Sequence, residues 1–281
     1  MRKSILFLML ALCVGAFSAS AESKTLTVKS NYKTIHAFCA ADVVYNPTSG
    51  TTTTIEITGP SDKIEWVDVT VSKGTLSIGT KKESNGSRNG RHLKGVKITV
   101  NGPLVSSLQA SSSGKISSTT QFEFRKSTVN LSASSSGEIS LAKVTSPVIQ
   151  AKASSSGEIS ISTTRTQTLH LQASSSGEIN LKDATTATCH SQASSSGDIN
   201  IKTLKADNTS FQASSSGDIK ISDITAGSVS AQASSAGDVE ISGKANSLNA
   251  SASSGADINV KKLSYTQSSV RASSGGSVYE R

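Results

Sequence analysis

Aromatic residues are scarce in this chain of 281 residues: one tryptophan, four tyrosines and six phenylalanines make 4% of it. That argues against nucleic acid as a partner, since no base-stacking motif is present. It also weakens a sugar site of the usual kind, which adds aromatic platforms. Cysteine is sparse too, with three residues, Cys13, Cys39 and Cys189. The last two do not make a disulfide framework, and both are expected as free thiols. Past the first twenty-odd residues no stretch approaches the ~20 apolar residues of a membrane span. No helical periodicity lasts long enough to predict a helix, and no catalytic motif stands out.

What the chain does have begins with "MRKSILFLMLALCVGAFSASAES". Arg2 and Lys3 precede an apolar run, and Ala19-Ser20-Ala21 is a small-residue cleavage pattern, so residues 1–21 read as a secretory signal. A lipoprotein signal on Cys13 is the rival, and Leu12 before it is a poor fit. The expected product runs from Glu22 to Arg281, exported to the periplasm, the outer-membrane surface or beyond. Without Arg2 and Lys3 the formal charge of +8 falls to +6.

The dominant feature is a repeat. "QASSSGEIN" from Gln172 returns as "QASSSGDIN" from Gln192, and nine copies can be indexed on Ala110, Ala133, Ala153, Ala173, Ala193, Ala213, Ala233, Ala252 and Ala272. Most steps are 20 residues; the first is 23 and one, before Ala252, is 19. A disordered Ser/Gly linker has no reason to keep such register. Within a copy, apolar and polar residues alternate on both sides of Ser-Ser-Ser-Gly, the pattern of two short strands joined at a corner, with a weaker third segment returning the chain. Columns persist across copies. Six residues after the alanine stand Ile139, Ile159, Ile179, Ile199 and Ile219; eight after stand Leu141, Ile161, Leu181, Ile201 and Ile221. Two before stand Leu171 and Phe211, with Ser191 as an exception. Stacked in parallel at about 4.8 Å per rung, each copy buries the apolar row of the next. The expected fold is all-β, a single-stranded parallel β-helix with ~20-residue rungs. The glycine four after each alanine is expected to serve a positive φ at the corner. Ala256 replaces it near the 19-residue step, so a reshaped corner is expected there.

Residues 22–103 lack the serine corner and read as an irregular β section; residues 104–281 hold the nine repeats. The order "ADVVYNP…IEITGPSDKIEWVDVTVSKGTLSIGTKK…VKITVNGPLVSSLQASSSGKI", followed by "ASSSGEI" copies, resembles the auto-transporter adhesin, head GIN domain family of exported Bacteroidetes proteins. The resemblance implies a right-handed helix, one domain over 22–281 and adhesin-like binding. It supplies no catalytic residue, cofactor or metal to carry over.

Candidate binding groups follow from the columns. Five residues after the alanine stand Glu138, Glu158, Glu178, Asp198, Asp218, Asp238 and Asp257, expected to face outward because the next residue faces in. Carboxylates one rung apart repel by ~1 kcal/mol per adjacent pair in water. Ca²⁺ or a cationic partner would relieve this; Ca²⁺ wants six to eight oxygens, so a solvated edge neutralised by Lys182, Lys202 and Lys261 is the plainer reading. His170 and His190 should stack outward on adjacent rungs, as a solvated pair rather than a Zn²⁺ or Cu²⁺ site. Gln109, Gln172, Gln192, Gln212 and Gln232 form an amide column, either self-bonded or a docking face for glycan hydroxyls. The basic stretch from Lys81 to Lys97 reads as a solvated hairpin loop before it reads as an anion site. Together these point to an exported, non-catalytic, adhesin-like protein, with a glycan or cell-surface component as the partner. A polysaccharide-active β-helix enzyme and a passive envelope scaffold are the alternatives.

Overall fold

The computed structural model describes residues 22–29 and 31–281, so the expected export signal over residues 1–21 lies outside them. The chain opens with β1 (Glu22–Lys29), β2 (Thr34–Phe38), β3 (Asp42–Thr48) and β4 (Thr52–Gly59). The four-residue α1 (Ser61–Ile64), β5 (Val67–Ser72), β6 (Thr75–Thr80), β7 (Lys97–Pro103), β8 (Ser107–Ser111), β9 (Lys115–Glu123) and β10 (Thr128–Ser134) follow. Five strands of 17 residues come next: β11 (Glu138–Ser154), β12 (Glu158–Ser174), β13 (Glu178–Ser194), β14 (Asp198–Ser214) and β15 (Asp218–Ser234). The last are β16 (Asp238–Ala252), β17 (Asp257–Asn259), β18 (Leu263–Ser264), β19 (Gln267–Ala272) and β20 (Ser277–Tyr279).

The repeats form a parallel β-solenoid, each residue paired with its counterpart one copy on. Ile159 lies against Ile139 and Ile179, and Ala173 against Ala153 and Ala193. Ile179, Ile199 and Ile219 stack inside and are buried, as the pattern requires. Where the pattern suggests two strands and a return, the coils of β11 to β16 are each one long strand. Ladder pairing lapses only at two bends, such as Ala142 and Pro147 against Ser162 and Gln167. The bends give each coil three sides. The third carries its own buried column, Val144, Thr164, Ala184, Leu204 and Ile224. The column two before the alanine explains its exception: Ser191 and Ala231 flank Phe211 on the adjacent rungs, and all three are buried. Two small residues make room for one large ring.

The corner works differently from expectation. Its glycines are not the residues with positive φ. The two residues before each are: Ser155 has φ 50° and Ser156 φ 61°, and other copies match, with Ala236 or Gly275 in the second place of two later ones. Gly157 N–H donates to Ser154 C=O at 2.9 Å, closing a turn of the kind with both central residues left-handed. The glycine is needed for space. A Cβ on Gly137, Gly157 or Gly177 would stand closer than 3.0 Å to the backbone of an alanine in an adjacent coil. Corners also join the ladder, as Ser156 N–H donates to Ser175 C=O at 3.2 Å. In the six copies from Ser112–Ser113 to Ser215–Ser216 the same conformational strain recurs at two serines, held because the stack over-determines it.

Two further expectations are corrected. The corner at Ala256 keeps its shape: Gly255 takes the second left-handed position at φ 71°, and Ala256 N–H closes the turn on Ser253 C=O at 3.2 Å. The missing residue of the short step lies at the other bend, where Ile241 pairs with Ile221 but Gly243 already with Ile224. Gly243 has φ 123° there. The solenoid also starts earlier than the serine repeats. β2 and β3 make a coil of their own, with Ala37 under Ala110 and Val43 under Ile116, and left-handed Cys39 and Ala40 at its corner.

After β3 the chain leaves the coil to cover its end. β4 pairs antiparallel with β1 and β7, while β7 runs parallel to β3. β6 lies parallel to β2 and antiparallel to β5. Among the described residues β1 pairs only with β4 and β5 only with β6, so both are edges of this cap. At the far end Val270 pairs with Ala250 and Val278 with Ile258, and both are partly exposed.

Candidate functional site

The acidic column forms as a straight ladder. Glu138, Glu158, Glu178, Asp198, Asp218, Asp238 and Asp257 pair in register through successive strands. Each side chain points out because its neighbours on both sides, such as Gly197 and Ile199, are buried. The ladder extends backwards beyond the residues expected, through Lys115 to Asp42. Lys115 makes an ion pair with Glu138. Lys182, Lys202 and Lys261, the expected neutralising residues, take part in no ion pair among the described residues; Lys261 instead sits over the Tyr279 ring, 5.2 Å from its centroid.

The column two residues on modulates the ladder. Ser160 donates to Glu158 at 3.0 Å, Asn180 to Glu178 at 2.9 Å, and Asn200 to Asn180 at 3.2 Å. Lys220 pairs with Glu240 at 3.0 Å. Asp198 and Asp218 receive no side-chain bond of this kind among the described residues, although the Asp238 backbone N–H donates to Asp218. Partial burial raises the pKa of Asp198, and Asp218 and Glu178 on the adjacent rungs raise it further. Burial likewise raises that of Asp218, followed by the charge of Asp238. The stretch from Asp198 to Asp257 lines a shallow trough with Lys220 and Glu240 on its far side. A line of carboxylates does not converge on a point, and among the described residues no three or more His, Cys, Asp or Glu side chains gather as a metal site.

The histidine pair stacks outward as its spacing requires, with ring centroids 5.2 Å apart and planes 12° from parallel. Beside it runs the amide column, where Gln192 donates to Gln212 at 3.0 Å. These side chains, with Lys152, edge a second open groove. The Lys81–Lys97 stretch is more ordered than a solvated hairpin. Arg88 bonds Asp68 at 2.9 Å and lies 4.9 Å over the Phe38 ring. His92 stacks on Trp66 at 3.9 Å and meets Glu83 at 2.9 Å. Its basic residues are partly consumed in closing the cap. Both cysteines are free, and burial pushes the Cys189 thiol up to about 12.

A capped parallel β-solenoid that displays unbroken side-chain ladders defines the class of this protein. Its sequence matches the model of the family described as "Putative auto-transporter adhesin, head GIN domain" over residues 31–205 and 199–280, and the chain belongs to that family. Among solved structures it resembles a "Putative lipid binding protein" from Parabacteroides distasonis, at 20% identity and a TM-score of 0.62, covering 92% of this chain and 96% of that one. A "putative adhesin" from the same organism aligns at 17% identity and a TM-score of 0.57, over 91% and 98%. Another from Parabacteroides merdae aligns at 15% and 0.57, over 93% and 96%. At these identities the likeness is one of fold. No curated protein matches the chain.

Proposed function

We propose that this is an exported, non-catalytic surface-binding protein of adhesin type, and that the acidic ladder from Glu138 to Asp257 is its contact face. The observation that carries the reading is the in-register line of seven carboxylates, of which, among the described residues, Glu138 alone is in an ion pair. Packing does not need these charges, and neighbours on the ladder repel. A partner presenting cationic groups at the rung spacing, or a surface bridged by divalent cations, would relieve that repulsion several times over, and repeated weak contacts multiply. Membership of a family described as adhesin heads supports the same reading. Ladders of one residue type, rather than an acid and a base on one groove, support binding over turnover.

The test is attachment of the chain to glycan arrays and to bacterial or host surfaces, with and without Ca²⁺. Glu178→Gln, Asp198→Asn and Asp218→Asn are made together. We expect attachment to fall at least tenfold in the folded variant. Attachment equal to the parent removes this face, and release of uronate from a pectic polymer would establish the enzyme instead.

A further inference from the structure

We infer that the N-terminal cap holds a second binding site, an apolar cleft for the tail of a single-chain anionic amphiphile. It is separate from the ladder in place and chemistry. The cleft lies where the two edge strands face each other without pairing. Along β1, Leu26 and Val28 share one face by the period of two; along β5, Val67, Val69 and Val71 do the same. These side chains, with Ile57 and Ile64 below, line an open cavity of about 190 Å³.

That is somewhat more than the roughly 150 Å³ that suffices for a benzene ring in an apolar cavity. It suits the end of an alkyl chain and is too small for a whole lipid. Unpaired apolar strand edges are otherwise a liability for aggregation, and a tail laid between them would cover both.

The rim decides the charge of the head group. Lys24 is paired with Glu65 at 2.9 Å, and Asp68 with Arg88 at 2.9 Å. Lys81, the remaining charge on the rim, takes part in no ion pair among the described residues and is exposed. Lys81 shares the field of Glu65, whose carboxyl Lys24 already pairs, so the rim with its partners keeps one net positive charge, and that selects a carboxylate or phosphate head over a cationic one.

Calorimetric titration of the Glu22–Arg281 chain with hexanoate, octanoate, decanoate and dodecanoate, below their micelle concentrations, tests this. Affinity should rise about fourfold per methylene, then level off once the slot is full. Val69→Trp, which fills the slot, should weaken octanoate at least tenfold. Lys81→Glu should weaken every chain length about tenfold and leave the slope unchanged. Dodecyltrimethylammonium should bind at least tenfold more weakly than dodecanoate. If Val69→Trp loses the native circular dichroism spectrum, Val71→Phe at a half-exposed position serves in its place. Parent-like affinity in a folded slot-filling variant, or a slope that never levels off, overturns the site. Equal binding of the cation overturns the head-group assignment.

Discussion

Thr164 offers a direct test of how the core is read. It stands on the third side of its coil, between Val144 and Ala184 on the adjacent rungs, and is 1% exposed. Its hydroxyl is buried with no hydrogen-bond partner, alone in this among the described residues. Valine has nearly the same shape and already occupies the neighbouring position in the column. Thr164→Val therefore removes an unpaired polar group without opening a cavity. A buried, unsatisfied donor costs about 1–3 kcal/mol, and nothing is lost to offset its removal. For a chain of this size each kcal/mol moves the midpoint by about 2–4 °C, so the variant should melt about 2–12 °C above the parent. Thermal and urea melts followed by circular dichroism measure it, compared at unchanged urea m-value. The reverse exchange, Val144→Thr, should lower stability by a similar amount. A Thr164→Val midpoint at or below that of the parent would refute the reasoning, because it would mean the hydroxyl has a partner.

Other perturbations probe other parts of the coil. Ile199→Asp places an unpaired charge in a fully buried column and should cost about 3–5 kcal/mol, read as a collapse of the urea midpoint; unchanged stability would contradict the register. Gly157→Ala should destabilise by more than about 2 kcal/mol, since its methyl meets the Ala133 backbone. Ser156→Gly, at φ 61°, should be neutral or gain up to about 1 kcal/mol; the opposite order in denaturant melts would show that φ, not space, governs the glycine. Asp218 has a raised pKa when folded, so the folded state binds more protons between its unfolded value of about 3.9 and that raised value. Stability should fall as pH rises through this window. Asp218→Asn should then stabilise at pH 7 and make no difference at pH 3, as paired thermal melts would report.

Much of the coil was legible because parallel stacking turns a contact into a repetition. Ile199 touches Ile179 and Ile219, which are the same position one copy away, so a column in the sequence is a column in space. The ladder Glu138 to Asp257 and the pair His170 and His190 were readable on the same ground. The coil at Ala37 was hidden because its corner reads Phe38-Cys39-Ala40-Ala41 and contains no serine. Its spacing was nonetheless present, with Ile35, Ala37, Asp42 and Val43 in the offsets of every other copy. For the corner glycine, sequence reveals that a side chain is forbidden without revealing whether a torsion or a neighbour forbids it. For the short step, spacing between alanines brackets a deletion between two corners and does not locate it. The cap, with Trp66 on His92 and Arg88 over Phe38, depends on contacts across unlike segments, and no repeat announces those.

Phe211 between Ser191 and Ala231 has a consequence for how the chain finds its fold. Coils this alike invite misalignment. If one coil were looped out and the next took its seat, isoleucine would still meet isoleucine and glycine would still meet alanine backbone. Such a slipped chain would lie close in energy to the native one and would be a kinetic trap. The phenylalanine breaks the degeneracy. With the Ser191 coil looped out, its ring would be driven against Leu171, an overpacked contact costing about 1–3 kcal/mol. One keyed tooth in an otherwise uniform rack thus identifies which coil follows which, and Phe211→Ala should leave a protein that refolds into several alignments rather than one.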